Sequence, residues 1–514
     1  MSNDICFTVP QRFDVQDVSR LLAPRYALQV EKPVQQPVVY YDTFDWRLFQ
    51  KSMTLVRTAT AWYLQTISEA SIVARLERAS ALRFACELPP GRLRQTLAPL
   101  VENRALLPLY GMTIRLHGLR VLNAEAKTVA RLCVEACTLR DASEPFLTCL
   151  RLTPVKGYGK HARRLQESLG AAGLAKTAVN RYLLGLTACQ KTPGAYTSKL
   201  RLQLDPTMRA DAASKEILRF LLHVMRQNEA GILQDIDSEF LHDFRVAVRR
   251  TRAALGQIKK VFPEPVTRRF REDFAYLGRI TNRVRDLDVY LLHRAAYQAM
   301  LPEHLRPHIE PVFVALRQQR TQALHRLRRQ LRAQKVEAIL QRWADFLAQP
   351  GIDSVTAPDA GRPIIEVARQ RLEKKHHAMI KLGRRLHHGA DDQQLHALRI
   401  EAKKLRYLLE FFVSLFPGEA TTALIQHLKA VQDHLGRLHD LYVQQIALHG
   451  LADLFLDTQA QGRHTVRAID CLIGVLESEK QTLTQTFPQV FRAFASHTDN
   501  PFVASTASGS ATRP

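Results

Sequence analysis

From about residue 205 to 495, apolar residues recur every three or four positions through long segments, and Pro and Gly fall mostly between those segments. "AASKEILRFLLHVMRQNEAGIL", "RRFREDFAYLGRITNRVRDLDVYLL" and "TTALIQHLKAVQDHLGRLHDLYVQQIALHG" all follow this pattern, which predicts an all-α region. The loop-like "QPGIDSVTAPDAGRP" at 349–363 cuts it into halves at about 205–348 and 363–495. Upstream, residues 1–190 carry short β-branched or aromatic runs bounded by Pro, Gly or charge: "PVVYYDTFDWRL", "SMTLVRTATAWYLQTI", "RFACELPP", "YGMTIRLHGLRVL" and "TVARLCVEACTL". "YGKHARRLQESLGAAG" reads as a helix closed by glycine. The pattern therefore predicts an α+β domain, a linker over 191–204 inside the Pro-, Gly- and Ser-containing boundary, the helical domain, and a disordered tail at 496–514.

Composition adds a strong charge bias. The 514 residues are 46% hydrophobic, enough for sizeable cores, and carry 73 Lys+Arg against 49 Asp+Glu, a formal +24. Such an excess favours polyanions: nucleic acid, phosphate polymers or an anionic membrane surface. There are 27 basic and 15 acidic residues up to residue 200, and 46 and 34 after it, so gross charge does not single out the binding region. Seven scattered cysteines, an odd number, fit reduced thiols better than a disulfide framework. Cys133 and Cys137 are one helical turn apart in spacing, but no second pair completes a zinc site, and a buried structural role is expected. The first residues lack a basic start followed by an apolar core, and no apolar run reaches the roughly 18 residues of a membrane span. A soluble, cytoplasmic protein is expected.

The helical region repeats itself. "HDFRVAVRRTR" from His242 and "HALRIEAKKLR" from His396 share one arrangement of His, Arg and basic pairs, 154 residues apart. Asp286 and Asp440, and Val289 and Val443, keep the same offset. A duplicated helical bundle is implied. At 100° per residue, His242, Arg245, Arg249 and Arg252 form one stripe roughly 80° wide, and His396, Arg399, Lys403 and Arg406 form its counterpart. Arg250 and Lys404 sit on the flank, while Phe244, Val248 and Leu255, or Leu398, Leu405 and Leu409, offer apolar packing surface. An ordinary solvated basic face is the bland reading, but such faces usually mix signs at three- and four-residue spacing and these stripes carry no acid. A row of Arg, Lys and His suits a chain of phosphates, because Arg offers forked donors and Lys a mobile point charge. Two such stripes can line a shared groove.

Lys259 and Lys260, Arg279, Arg283 and Arg285, and Lys429, His434, Arg437 and His439 are candidates to extend that groove. Asp286 and Asp440 are expected to orient nearby Arg or His rather than to catalyse. The stretch "KKHHAMIKLGRRLHHG" (374–389), with Arg384 and Arg385, reads as a phosphate-facing or solvated basic helix rather than a metal site, since adjacent histidines diverge on a helix. "RQQRTQALHRLRRQLRAQK" (317–335) is read as a solvated face. Nucleotide loops, a Ser-His-Asp triad, a redox Cys pair and a His-Glu-x-x-His motif are not found, so no cofactor is implied.

"EFLHDFRVAVRRTRAAL" (239–255), "RDLDV" (285–289), "LHALRIEAKKLRYLLEFF" (395–412) and "VQDHLGRLHDLYV" (431–443) resemble the CHAD domain, the conserved-histidine α-helical family, across nearly 300 residues. The resemblance implies two antiparallel four-helix bundles related by pseudo-twofold symmetry, with a basic channel that binds inorganic polyphosphate and is lined by the stripe residues. "YYDTFDWRLFQKSMTL" (40–55), "WYLQTIS" (62–68) and "RFACELP" (83–89) resemble segments of the CYTH domain, the triphosphate tunnel fold, which implies an antiparallel β barrel. The departures bear on chemistry. Thr8, Pro10 and Arg12 stand where that family opens Glu-x-Glu-x-Lys, Ala85 replaces a strand glutamate and leaves Glu87, Ser68 replaces a lysine, and "LTCLRL" (147–152) lacks paired glutamates. Hard divalent cations need such oxygens, so loss of metal-dependent hydrolysis is expected.

The leading expectation is non-enzymatic polyphosphate binding, with polyphosphate granules as a candidate location and affinity rising as pH falls through the histidine range. The alternatives are a metal-dependent triphosphatase or polyphosphatase in the first domain, and nonspecific nucleic-acid binding. Specific nucleic-acid recognition is not expected, because no reading motif appears and aromatic content is only 7%.

Overall fold

The computed structural model describes residues 4–22, 25–77, 80–386, 392–455 and 460–496; the expected tail beyond Ser496 lies outside them. The chain divides after Thr197 into two compact units.

The first unit is built on an antiparallel sheet of β1 (Ile5–Thr8), β2 (Ala27–Val30), β3 (Val34–Asp42), β4 (Met53–Arg57), β5 (Ala61–Thr66), β6 (Ile72–Glu77), β7 (Leu107–Leu122), β8 (Thr128–Leu139) and β9 (Leu147–Pro154). The order is β1-β9-β8-β7-β3-β4-β5-β6, with β2 pairing on β7. Side chains alternate across a strand, so every strand has two destinations. Phe7, Leu132, Leu150 and Leu152 face outward onto α1 (Val15–Leu22) and α3 (Gly159–Ala171). Trp62, Leu64 and Leu55 pack likewise on α2 (Arg92–Val101). On the inner face Val38, Tyr40, Val56, Met112 and Ile114 pack against Tyr182 and Leu186 of α4 (Arg181–Ala188). Cys6 and Arg151 from one end of the sheet and Tyr63, Gln65 and Ile72 from the other line a single cavity of about 530 Å³, so the sheet curls round it.

Two local readings change. Residues 52–67 form two strands joined at 58–60, where the Thr58 hydroxyl and the Ala61 backbone close the turn. "RFACELPP" is not a strand: Ala85–Glu87 is a single 3-10 turn. The Glu87 carboxylate accepts the Arg83 N–H at 2.9 Å, and the Pro89-Pro90 pair that follows has no N–H to give a ladder. Cys133 and Cys137 lie on β8, in keeping with the strand reading of "TVARLCVEACTL", and share its inner face.

The second unit is all-α. Its first half contains α5 (Ala210–Gln234), α6 (Ser238–Gln257), α7 (Glu264–Leu292), the short α8 (Arg294–Met300), α9 (Glu310–Leu331) and α10 (Gln334–Ala348). Its second half contains α11 (Ile364–Arg384), α12 (Asp392–Phe412), α13 (Glu419–Ala452) and α14 (Ala460–Ser496). α11 and α12 begin 154 residues after α5 and α6 (364 against 210, 392 against 238), so the repeat extends one helix upstream of the matching motifs. Successive long helices pack on one another within each half, and α6 lies against α12 between them. Asp237 caps α6 by accepting the Glu239 and Phe240 N–H groups. Gly231 of α5 lets the Phe240 ring approach to where a Cβ would sit 2.1 Å from it.

The segment at 317–335 is not simply solvated. Arg320 of α9 donates to Asp235 at 2.7 and 2.6 Å and to Asp288 at 2.7 Å, joining the end of α5 to α7. Asp288 is 4% exposed, and burial raises its pKa. Arg320→Leu leaves that carboxylate buried without its counter-ion, at a cost of about 3 kcal/mol in chemical denaturation. The loss should shrink as pH falls, because protonating Asp288 removes the buried charge.

Candidate functional site

The contact between α6 and α12 brings Arg249 and Arg252 of one cationic stripe and Lys403 of the other to a single open groove of about 980 Å³. α6 contributes Arg249 and Arg252, with Lys259 just beyond its end; α7 contributes Arg268 and Arg271; α11 contributes Arg371, Lys374 and Lys375; α12 contributes Lys403 and Lys404. Glu272 is the acid among the lining residues, and Tyr407 the aromatic. Each side chain stands on a helix whose opposite face is core: Phe244, Val248 and Leu255 on α6, and Leu398, Leu405 and Leu408 on α12, are 3% exposed or less. The cations cannot move apart without unpacking those faces.

Some lining residues are internally paired. Glu401 holds Lys375 at 2.9 Å and Lys404 at 2.6 Å, and Arg371 pairs with Asp359 at 2.9 Å. Among the described residues, Arg249, Arg252, Arg268, Arg271, Lys374 and Lys403 have no carboxylate within ion-pair distance. The strain shows in the titration of their neighbours. Burial, reinforced by the charges of Arg399 and Arg249, lowers Lys403 to about 8. Burial and Arg249 likewise lower Arg245 to about 10, and burial lowers Arg399, which Asp440 at 3.9 Å only partly offsets. Arg249 from one half of the repeat thus acts on Arg399 and Lys403 from the other.

A smaller cavity of about 320 Å³ between α12 and α13 is lined by His396, Arg399 and His439. The two imidazoles lie 5.1 Å apart. Burial, with Arg399 and His396 behind it, lowers His439 to about 4.

The remaining expected site residues are placed elsewhere. Arg245 donates to the Gly278 carbonyl, Thr281 and Asn282, which ties α6 to α7. Arg250 and Arg406 share Glu410 at 2.8 and 2.7 Å, Arg285 meets Glu239 at 3.6 Å, and Arg437 grips Glu479 at 2.6 Å. Arg283 bonds Gln319. His242 is half-buried, and Arg279, Arg384, Arg385 and Lys429 are exposed; all five lie outside both cavities. The stripes therefore do meet acids, at Glu401 and Glu410 of α12, which neutralise the flanks and leave Arg249 and Lys403 clear. Asp286 carries a raised pKa, because desolvation outweighs the nearby charges of Arg245, Arg283 and Arg285.

Arg268, Arg271 and Arg371 are not singled out by the sequence, whereas Lys374 opens the 374–389 stretch read as phosphate-facing or solvated. Their signal was present as i, i+3 spacing at the start of α7 and along α11, but the periodicity does not say which face of a neighbouring helix turns toward α6.

Residues 216–449 match the CHAD domain family. A CHAD domain from the plant Ricinus communis is 24% identical, with 57% of this chain and 96% of that chain covered and a TM-score of 0.48. PptA from Streptomyces chartreusis is 16% identical over 55% of this chain and 100% of that chain, at a TM-score of 0.42. The Hippeastrum protein HpAC1, for which a dominant triphosphatase activity is described, is 14% identical over 38% of this chain and 100% of that chain, at a TM-score of 0.27. No curated protein matches. No helix among the described residues is long and apolar enough to cross a membrane.

An uncompensated Lys403 has a measurable consequence in the empty protein. Its pKa is below the ordinary lysine value of 10.5, so the unfolded chain binds the proton more tightly and the charge costs stability below about pH 8. Lys403→Met should raise stability at pH 7 by on the order of 1 kcal/mol. In denaturation at pH 10.5 or above the gain should vanish.

Proposed function

We propose, for a chain whose residues 216–449 match the CHAD domain family, that the groove between α6 and α12 binds inorganic polyphosphate without cleaving it. The CHAD family is associated with polyphosphate binding in general. The observation that carries the reading is the convergence of six cations, unpaired among the described residues, from four helices on one open groove. Such a cluster repels itself and is stabilised by a ligand that supplies many negative charges along a line. A flexible phosphate chain does this and needs no aromatic platform, whereas single-stranded nucleic acid is usually held by stacking, and the groove offers Tyr407 alone. Granules present the same polymer and are the proposed place of action.

Binding rather than hydrolysis is supported by how the acids are used. In the first unit Glu135 is buried behind the cavity-lining Arg151 and Arg181, which occupy it at 2.6 and 2.8 Å, Glu87 sits on the 3-10 turn, and the acid lining the cavity is the exposed Glu69, which accepts from the Ser71 hydroxyl. In the groove the acids hold lysines or, as Glu272, stand exposed.

Charge reversal at Arg249→Glu and Lys403→Glu together should abolish retention on immobilised long-chain polyphosphate at physiological salt while leaving the helical circular dichroism intact. Unchanged retention would overturn the assignment of the groove. The titration of Lys403 gives a second expectation. A polyanion favours the charged amine and, among the described residues, no histidine lines the groove, so in place of the rise expected through the histidine range, affinity should be steady below about pH 8 and fall as pH rises above it. Lys403→Arg should flatten that fall, because guanidinium stays charged throughout.

A further inference from the structure

The inner face of the first unit's sheet gathers four of the seven cysteines. Cys6 on β1 lies opposite Arg151 on β9, which lies opposite Cys133 on β8. In the next row Thr8, Cys149 and Glu135 are opposite one another, and Cys137 follows on β8. Cys6 and Cys149 are therefore diagonal neighbours on one face; the Cys149 thiol donates to the Glu135 carboxylate at 3.8 Å and interacts with the Cys6 sulfur. All seven cysteines are free.

The four are not equivalent. Cys6 is half-buried and lines the 530 Å³ cavity, so a small solute can reach its sulfur. Cys149 is fully buried beneath it. Arg151, fixed by Glu135 at 2.6 and 3.1 Å, holds a guanidinium beside Cys6. The hydrogen bond from Cys149, with Arg151, lowers Cys6 to about 7, whereas burial raises Cys133 and Cys137 to about 11. The Cys6 thiolate is therefore the sulfur that meets an oxidant, while Cys149, kept protonated by its contact with Cys6, by burial and by Glu135, stands behind it and gives up its proton only as it attacks.

We propose that Cys6 and Cys149 form a peroxide-responsive dithiol, in which oxidation joins β1 to β9 through a disulfide. The Cys6 thiolate attacks one oxygen of hydrogen peroxide; the S–O bond forms, the O–O bond breaks, and the leaving hydroxide takes up a proton to become water. Cys149 sulfur then attacks the Cys6 sulfenic acid; the S–S bond forms, the S–O bond breaks, and the departing hydroxide leaves as water with the Cys149 proton. Two thiols lose two electrons, and one peroxide becomes two waters. Diagonal neighbours on antiparallel strands start about 7–8 Å apart at Cα, slightly beyond the reach of a disulfide, so one strand must shift. β1 is suited to do so. It is four residues long and ends the sheet, and its outer edge is met by the short segment at 175–177.

The test uses the full chain with its natural sequence. Hydrogen peroxide is added below one equivalent, free thiols are alkylated, and a non-reducing digest is read by mass spectrometry. The first oxidised species should be the Cys6–Cys149 cross-link, formed at least tenfold faster than any oxidation of the exposed Cys86. In Cys149→Ser the product should become a sulfenic acid at Cys6, trapped by dimedone. Oxidation of Cys86 at the rate of Cys6, a cross-link from Cys6 to Cys133, or Cys6 left reduced would each refute the proposal.

Discussion

Everything in the helical unit is arranged around mutual repulsion among cations that cannot separate. Arg249 stands on α6 and Lys403 on α12, and each helix is fixed by leucines, valines and phenylalanines that are almost wholly buried. Burial of those apolar faces supplies the stability, at about 25 cal/mol per Å², that holds the like charges together. Duplication makes the arrangement economical. One helix pattern, used twice, supplies both walls, and the pairing of α6 with α12 places them opposite each other. Acids are admitted where they neutralise a flank, as Glu401 and Glu410 do, and not at the centre.

The two units use charge in opposite ways. In the sheet unit Arg151 and Arg181 are bound to Glu135, and Arg151 lies 3.6 Å from Asp4, so the cavity charges largely cancel. What remains distinctive there is a polarised sulfur, not a field for polyanions. In the helical unit the uncancelled cations are the distinctive feature. A formal +24 distributed almost evenly over the chain conceals this difference.

Periodicity carried much of this into the sequence. The 3.6-residue pattern located the helices, and the identical offset of His242/His396 and Asp286/Asp440 exposed the duplication, because a repeat must preserve register wherever two helices pack. Arg249, Arg252, Lys259, Lys403 and Lys404 were legible as groove residues for the same reason. Arg250, Arg406 and Arg437 were not separable from them, since a helix wheel shows a direction but not the glutamate another helix places there. The strand reading of "RFACELPP" failed on local chemistry: Glu87 reaches back to its own chain and the proline pair denies a ladder. The Cys6–Cys149 pair spans 143 residues, and only the pairing of β1 with β9 brings it together.

The most direct test of the polyanion account is a titration of the full-length protein with fluorescent long-chain polyphosphate, competed in parallel by tRNA and by inorganic triphosphate. The account predicts tight binding that weakens steeply with salt, with a log–log slope of about −4 if six phosphates are neutralised. It also predicts that tRNA and triphosphate displace the polymer poorly. Equal displacement by any polyanion, or a flat salt dependence, would contradict it and reduce the twin stripes to a generic basic surface.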